Sequence, residues 1–424
     1  MQAWEGETKV DFMESEHDTH EELTMPAVLQ DLSGHTAAAR QLVAEAHARD
    51  GLAPLDLERF WADDVLAHVN PFGVDIPQVP LGIRMGLDCV FDELGLEEDY
   101  HRLLHDAEWS TEVCRAYNDK AERIVGKRLL REQPRDPKQK YPAVKGLHDV
   151  FEAREVWHGQ SYWLNQSARN TEELEALLDR VDERDIRRCI LPPNWAEEKV
   201  RLQARGILPP LYRDQRGPVT FAMSVFGVEN LIFLCLDRPE TAARFRDVIL
   251  RVMLDIARVL DEEAGFEPEQ APPGFSFRDD NCCLLNAELY EFFGYPILKE
   301  IFNRYAPGSQ DRRYQHSDSA MGHLLPLLGP QGLNLNCVNF GPTLSVAEIR
   351  AHCPGAVIHG QLAPFTFSRN QEEDMILECL RDMEQARAKR GLVFTTAGSI
   401  NNGSRLTGMR LIMAAIQRFG RYDR

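Results

Sequence analysis

Two hydrophobic periods share this chain. Leu29, Leu32, Ala37, Leu42, Val43 and Ala46 recur near every 3.6 residues and predict a helix over 26–50, closed by Asp50-Gly51. Residues 55–69 repeat the pattern. Further helices are predicted over 88–94, 99–115, 197–204, 240–263, 286–305, 319–331, 371–389 and 405–419, with one more starting at Thr171 behind Asn170 or Thr171 as cap. Between them lie short apolar runs that predict strands at 78–86, 188–191, 217–222, 274–280, 314–319, 333–339, 356–362 and 391–396. Strands that alternate with helices in this way predict an α/β fold, a (β/α)8 TIM barrel over 71–424. Residues 25–70 form a helical extension packed on it, and 1–24 an acidic flexible tail. A doubly wound open sheet is the alternative, but no GxGxxG or P-loop follows an early strand. Residues 117–162 mix Lys and Arg with Pro134, Pro137 and Pro142 and read as inserted hairpins and loops, a solvated surface or a lid.

Composition narrows the setting. Hydrophobic residues are 43% of 424, enough for a full core. The net charge of −19 opposes nucleic acid and anionic membrane, which need clustered Lys and Arg. An anionic substrate would need local arginines set against that field. No apolar run reaches transmembrane length and no basic leader opens the chain, so a cytoplasmic protein is expected. Nine cysteines, an odd number with no CxxC pair, read as reduced thiols.

The chemistry gathers at the ends of the 274–280, 314–319 and 333–339 strands. His316 and Asp318 are two apart and so share one strand face, fit for a metal, an acid–base pair or a structural hydrogen bond. Adjacent Asp279 and Asp280 face opposite ways, so one of them enters a pocket and orients His316 or serves as a base, while helix capping accounts for either. Arg84, Arg278, Asn339, Gln361 and Asn401 end or follow strands and are candidate substrate contacts. Gln361 is preferred over His359, which reads as a satisfied barrel histidine. Cys337 lies one strand over from His316.

Val79-Pro-Leu-Gly, Gly217-Pro-Val-Thr-Phe-Ala, Asp279-Asp280 followed by Glu288-Leu-Tyr-Glu-Phe and Pro296-Ile-Leu-Lys, His316-Ser, Leu325-Pro and the closing Met413-Ala-Ala-Ile-Gln-Arg-Phe-Gly-Arg-Tyr follow one another in a familiar order. In these pieces, over roughly 55–424, the chain resembles the uroporphyrinogen decarboxylase superfamily, whose members are (β/α)8 porphyrinogen decarboxylases and cobalamin- or coenzyme M-linked methyltransferases. The decarboxylases carry Arg-Gln-Ala-Gly-Arg-Tyr after the first strand. Here that stretch is Gly82-Ile-Arg-Met-Gly-Leu-Asp88, which leaves Arg84 and Asp88 as substrate contacts. Their Gly-His-Gly after the last strand is Thr395-Thr-Ala-Gly-Ser-Ile-Asn401 here, without His. The methyltransferases bind zinc through His-x-Cys and a later Cys. Here the pattern is His316-Ser-Asp318, with Ser399 in place of the later Cys.

The resemblance implies methyl transfer or demethylation between a small methylated substrate and a corrinoid, carried by a partner protein. It implies zinc or another divalent metal on His316, Asp318 and Cys337. A metal-free decarboxylase or other lyase, with His316, Asp318, Asp279 and Asp280 as its acid–base groups, is the alternative. A non-catalytic barrel that binds a small molecule is the third reading. A homodimer is the assembly considered.

Overall fold

The computed structural model describes residues 33–422 apart from 134–135 and 268–269, so the tail expected over 1–24 lies outside the described residues. The fold is mixed α/β. An antiparallel hairpin of β1 (Glu155–His158) and β2 (Ser161–Leu164) stands apart from a six-stranded parallel sheet. The sheet runs in chain order through β3 (Asp214–Arg216), β4 (Phe275–Arg278), β5 (Arg313–Ser317), β6 (Cys337–Phe340), β7 (Val357–Leu362) and β8 (Leu392–Thr396). Beyond β8 the ladder continues for one parallel bridge, Leu81 to Phe394. Among the described residues no pairing joins that segment to β3, so the expected eight-stranded ring is not closed by hydrogen bonds.

Two of the expected strands are helices. Residues 188–191 belong to Ile186–Ile190 and its exit, a turn started by Asp185, whose side chain accepts from the Arg188 amide. Residues 218–222 belong to Pro218–Phe226, with Pro218 at the first helical position and every residue buried except half-buried Thr220 and Ser224. A helix buried all round shows no amphipathic period and reads as a buried strand. The strand of that unit is the polar stretch just before it, β3. The helix expected over 319–331 is two short turns, Gly322–Leu324 and Leu325–Leu328. In the 117–162 stretch, Ala107–Val125 carries helix into its first residues, and the hairpin begins only at Glu155.

Alternation along the strands sorts the faces. Phe275 and Phe277 of β4 are buried against Phe302 and Tyr305 of the Ala287–Tyr305 helix. Ser276 and Arg278 take the other face. In β5, Gln315 and Ser317 are buried, while Tyr314 and His316 alternate with them. The N-terminal helix Leu57–Val69 fixes the bridging segment. Asp64 accepts from the Leu81 amide at 2.8 Å, and His68 Nε2 meets the Leu81 carbonyl at 3.0 Å.

Candidate functional site

Parallel register brings the polar strand ends into one row. Arg278 stands beside His316, and His316 beside Asn339. The loop after β4 adds Asp280 and the residue after β5 adds Asp318. One ligand atom from each of Asp280, His316 and Asp318 lies within 4.8 Å of the others. His316 Nε2 is 3.7 Å from Asp280 Oδ1, and the Asp318 amide donates to that same oxygen at 3.2 Å. The backbone leaves no spare room here. A Cβ on Gly341 would sit 2.4 Å from the Asp318 carbonyl oxygen, and one on Gly398 would sit 2.6 Å from the Asp318 Cβ.

Asn339 decides which nitrogen of His316 is free. Its Nδ2 donates to the His359 carbonyl at 2.5 Å and to the Thr396 carbonyl at 3.0 Å. The amide is therefore oriented with Oδ1 toward His316 Nδ1, 2.6 Å away. That oxygen can only accept, so Nδ1 carries a proton and Nε2 is the nitrogen turned toward the carboxylates. Nε2 is thus the nitrogen through which the neutral ring would ligate a cation or take a proton. Burial holds the Asp280 carboxyl above its usual range; the nearby Asp318 charge pushes it the same way and His316 opposes. Two carboxylates pressed together, with an imidazole nitrogen beside them, form an all-oxygen-and-nitrogen donor set that a divalent cation would relieve.

The remaining candidates separate. Asp279 is fully buried and points away from the triad: its Oδ1 accepts from the Thr220 amide at 2.8 Å at the start of Pro218–Phe226. It caps that helix, and burial pushes its carboxyl up to about 6. Gly217 makes room for it, since a Cβ there would lie 2.1 Å from the Asp279 Cβ. Cys337 pairs with Tyr314, a step before His316, and stands outside the triad; burial raises its thiol to about 11. Asp280 takes the third position that the sequence had offered to Cys337. Arg278 reaches Asp214 Oδ2 at 2.7 Å.

Gln361 is buried. Its Nε2 donates to the Gly341 and Leu344 carbonyls, and its backbone amide to Asp382, so it braces a loop and does not line the cavity beside the triad. His359 and Gln361 thus exchange the places expected for them. Asn401 uses its carbonyl to accept from the Ser404 amide and, at 3.9 Å, from the Cys89 thiol. Asp88 is the middle residue of the short turn Leu87–Cys89. Neither joins the cavity beside the triad. That cavity, about 350 Å³, is walled by Arg84, Arg312, Tyr314, His359, Asn339 and Gly398, among others. Arg312 was not singled out in the sequence, although it continues the alternation of His316 and Tyr314 backward along β5.

No protein-family model matches the chain, and no curated protein matches its sequence. Among solved structures it is similar to a methyltransferase from Methanosarcina mazei, with 12% identity, a TM-score of 0.49, and coverage of 86% of this chain and 99% of that one. That likeness transfers no residue role and no chemistry. No single helix among the described residues is long and apolar enough to cross a membrane.

Proposed function

We propose that this chain is an enzyme of the uroporphyrinogen decarboxylase-like kind that moves a methyl group from a small methylated substrate to a corrinoid carried by a partner protein, with a divalent cation at Asp280, His316 and Asp318. The observation that carries the reading is the convergence of three donor atoms within 4.8 Å around a histidine whose Nε2 faces the carboxylates. The motif resemblance supplies the reaction class. A cation bound there supplies Lewis acidity to the substrate oxygen or nitrogen that bears the methyl group.

The protein's own groups set the stage. Asn339 holds the His316 ring in one orientation and tautomer, and Asp280 and Asp318 bring the negative charge that a cation requires. The donor set lacks sulfur, which suits an oxygen or nitrogen substrate better than a soft thiolate acceptor. Three protein ligands would leave a bound cation open to substrate.

The methyl-transfer part is tested by mixing the full chain with zinc or manganese, free cob(I)alamin and a panel of O- and N-methylated small molecules. Methylcobalamin should appear in its absorption spectrum with wild type and fall at least 100-fold in His316→Ala. No methylcobalamin with any member of the panel, alongside carbon dioxide release from a carboxylated analogue, would replace the reading with a lyase. The Asp280 carboxyl beside His316, raised by burial, favours that second reading, because raising it moves it toward the range in which a carboxyl serves as a general acid.

A further inference from the structure

Each member of the triad is held by different means. His316 stands inside β5, paired with Arg278 on one side and Asn339 on the other. Asp318 follows that strand directly. Asp280 lies on no strand. It opens the short turn Asp280–Leu284, and its side chain is 38% exposed where that of His316 is 14%. Its Oδ1 accepts from the Asp318 amide at 3.2 Å. A carboxylate so placed keeps much of its rotamer freedom, so its position depends on how firmly the turn beneath it is anchored.

The anchor is Thr220, in the first turn of the Pro218–Phe226 helix. Its amide is one of the donors that a helix start leaves without an intrahelical acceptor, and it reaches Asp279 Oδ1 at 2.8 Å. Its hydroxyl oxygen accepts from the Asn281 amide at 2.9 Å. The residues before and after Asp280 are thus both fastened to Thr220. A third bond, from the Asp279 amide to the His316 carbonyl at 2.9 Å, ties the same stretch to β5. Asp279 makes no side-chain cap to its own turn, because its carboxylate is turned to the neighbouring helix. Thr220 is itself well placed to hold others. It is β-branched, which confines its hydroxyl to few rotamers, and its carbonyl accepts from the Ser224 hydroxyl at 2.8 Å.

We infer that Thr220 is a positioning residue of the triad: by holding Asp279 and Asn281 it sets where the Asp280 carboxylate stands against His316 and Asp318. It acts through the turn and contributes no donor atom of its own. The hydroxyl is the part that can be tested alone. Thr220→Val removes it at nearly constant shape, frees the turn at Asn281, and keeps the amide bond to Asp279. The inference deepens the proposed function and rests on it for the cation. Its geometric content, the place of Asp280, stands apart from what binds there.

Two measurements on the full chain test it. The first is a pair of metal-free crystal structures, wild type and Thr220→Val. In the variant Asp280 Oδ1 should leave the Asp318 amide, and its 3.7 Å approach to His316 Nε2 should lengthen. Both contacts unchanged would overturn the inference. The second is competitive zinc titration with a chromogenic chelator, beside thermal melts. Zinc affinity should fall about 10–100-fold in Thr220→Val, as it does when other partners that support a ligand are lost. Thr220→Ser, which keeps the hydroxyl, should restore most of it. Thr111→Val, which removes a hydroxyl bond to the Ala107 carbonyl on another helix, should match wild type. A merely structural Thr220 would weaken zinc by the same factor whichever ligands were present. A positioning Thr220 should have no further effect once Asp280→Ala has removed the group it positions, because the two changes act on one contact. An equal further loss on adding Thr220→Val to Asp280→Ala would overturn the inference. If Thr220→Val does not fold, Thr220→Ala, which opens the turn to water, carries both comparisons. Wild type that binds no zinc would remove the cation reading alone, and the pair of structures would still decide the role of Thr220.

Discussion

Asn339 is the residue on which the site turns. It satisfies two carbonyls and aims one oxygen at His316. Asn339→Leu should leave those carbonyls unpaired at a cost of about 1–3 kcal/mol each. It should also weaken metal binding about 10–100-fold, as the loss of a supporting partner to a ligating histidine usually does. Thermal melts and competitive metal titration with a chromogenic chelator read the two effects separately. An unchanged metal affinity in a folded Asn339→Leu protein would remove the tautomer argument.

Asp279 makes a second residue-scale prediction. Its folded carboxyl sits near 6, above the ordinary value, because burial disfavours the charge. Its contribution to stability is therefore fully present below about pH 4 and is lost as pH rises through about 6. Compared with Asp279→Asn, which keeps an acceptor for the Thr220 amide, wild type should gain stability as pH falls from 7 to 5. The gain should be at most about 3 kcal/mol, from about 1.4 kcal/mol per pH unit. Denaturant melts at the two pH values should show this direction; a constant difference would mean that Asp279 does not titrate there.

Legibility at this scale was uneven. His316 and Asp318 could be read from their two-residue spacing. Asp280 could be separated from Asp279 only once the chain path showed which one reached the Pro218–Phe226 helix. Gln361 and His359 were ranked by closeness to the strand end, yet the Gln361 side chain is held by the Gly341 and Leu344 carbonyls, partners that no spacing rule reveals.

At the scale of elements, the polar strand ends were legible because buried strands otherwise exclude His, Asp and Asn. The helices with one apolar stripe were legible too: Pro239–Ala264 and Leu406–Phe419 fall within two residues of their expected bounds. Pro218–Phe226 was not, because a helix buried on all sides has no stripe. Its sequence cue was Gly217-Pro218, a helix start that also resembles a strand entrance. The junction between this helix and β4 is tight. Gly217→Ala would drive a methyl group into Asp279, and the overpacking should cost about 1–3 kcal/mol or more. A melting temperature for Gly217→Ala equal to that of wild type would show that the junction relaxes freely.

Over the whole molecule, the sheet runs through six strands and one bridge, and no pairing among the described residues closes it. The count of strand–helix units suggested a full ring because the pattern records alternation and not hydrogen bonding; the 188–191 unit proved helical throughout. The triad stands where the ends of β4 and β5 lie side by side in that sheet. The central claim concerns the triad, and elemental analysis tests it most directly. Full-length protein is loaded with zinc or manganese, passed through a desalting column, and assayed beside Asp280→Ala, His316→Ala and Asp318→Ala. The account predicts close to one equivalent of a divalent metal in wild type and well under a third of that in each variant. Wild type that retains no metal, or variants that retain as much as wild type, would contradict it.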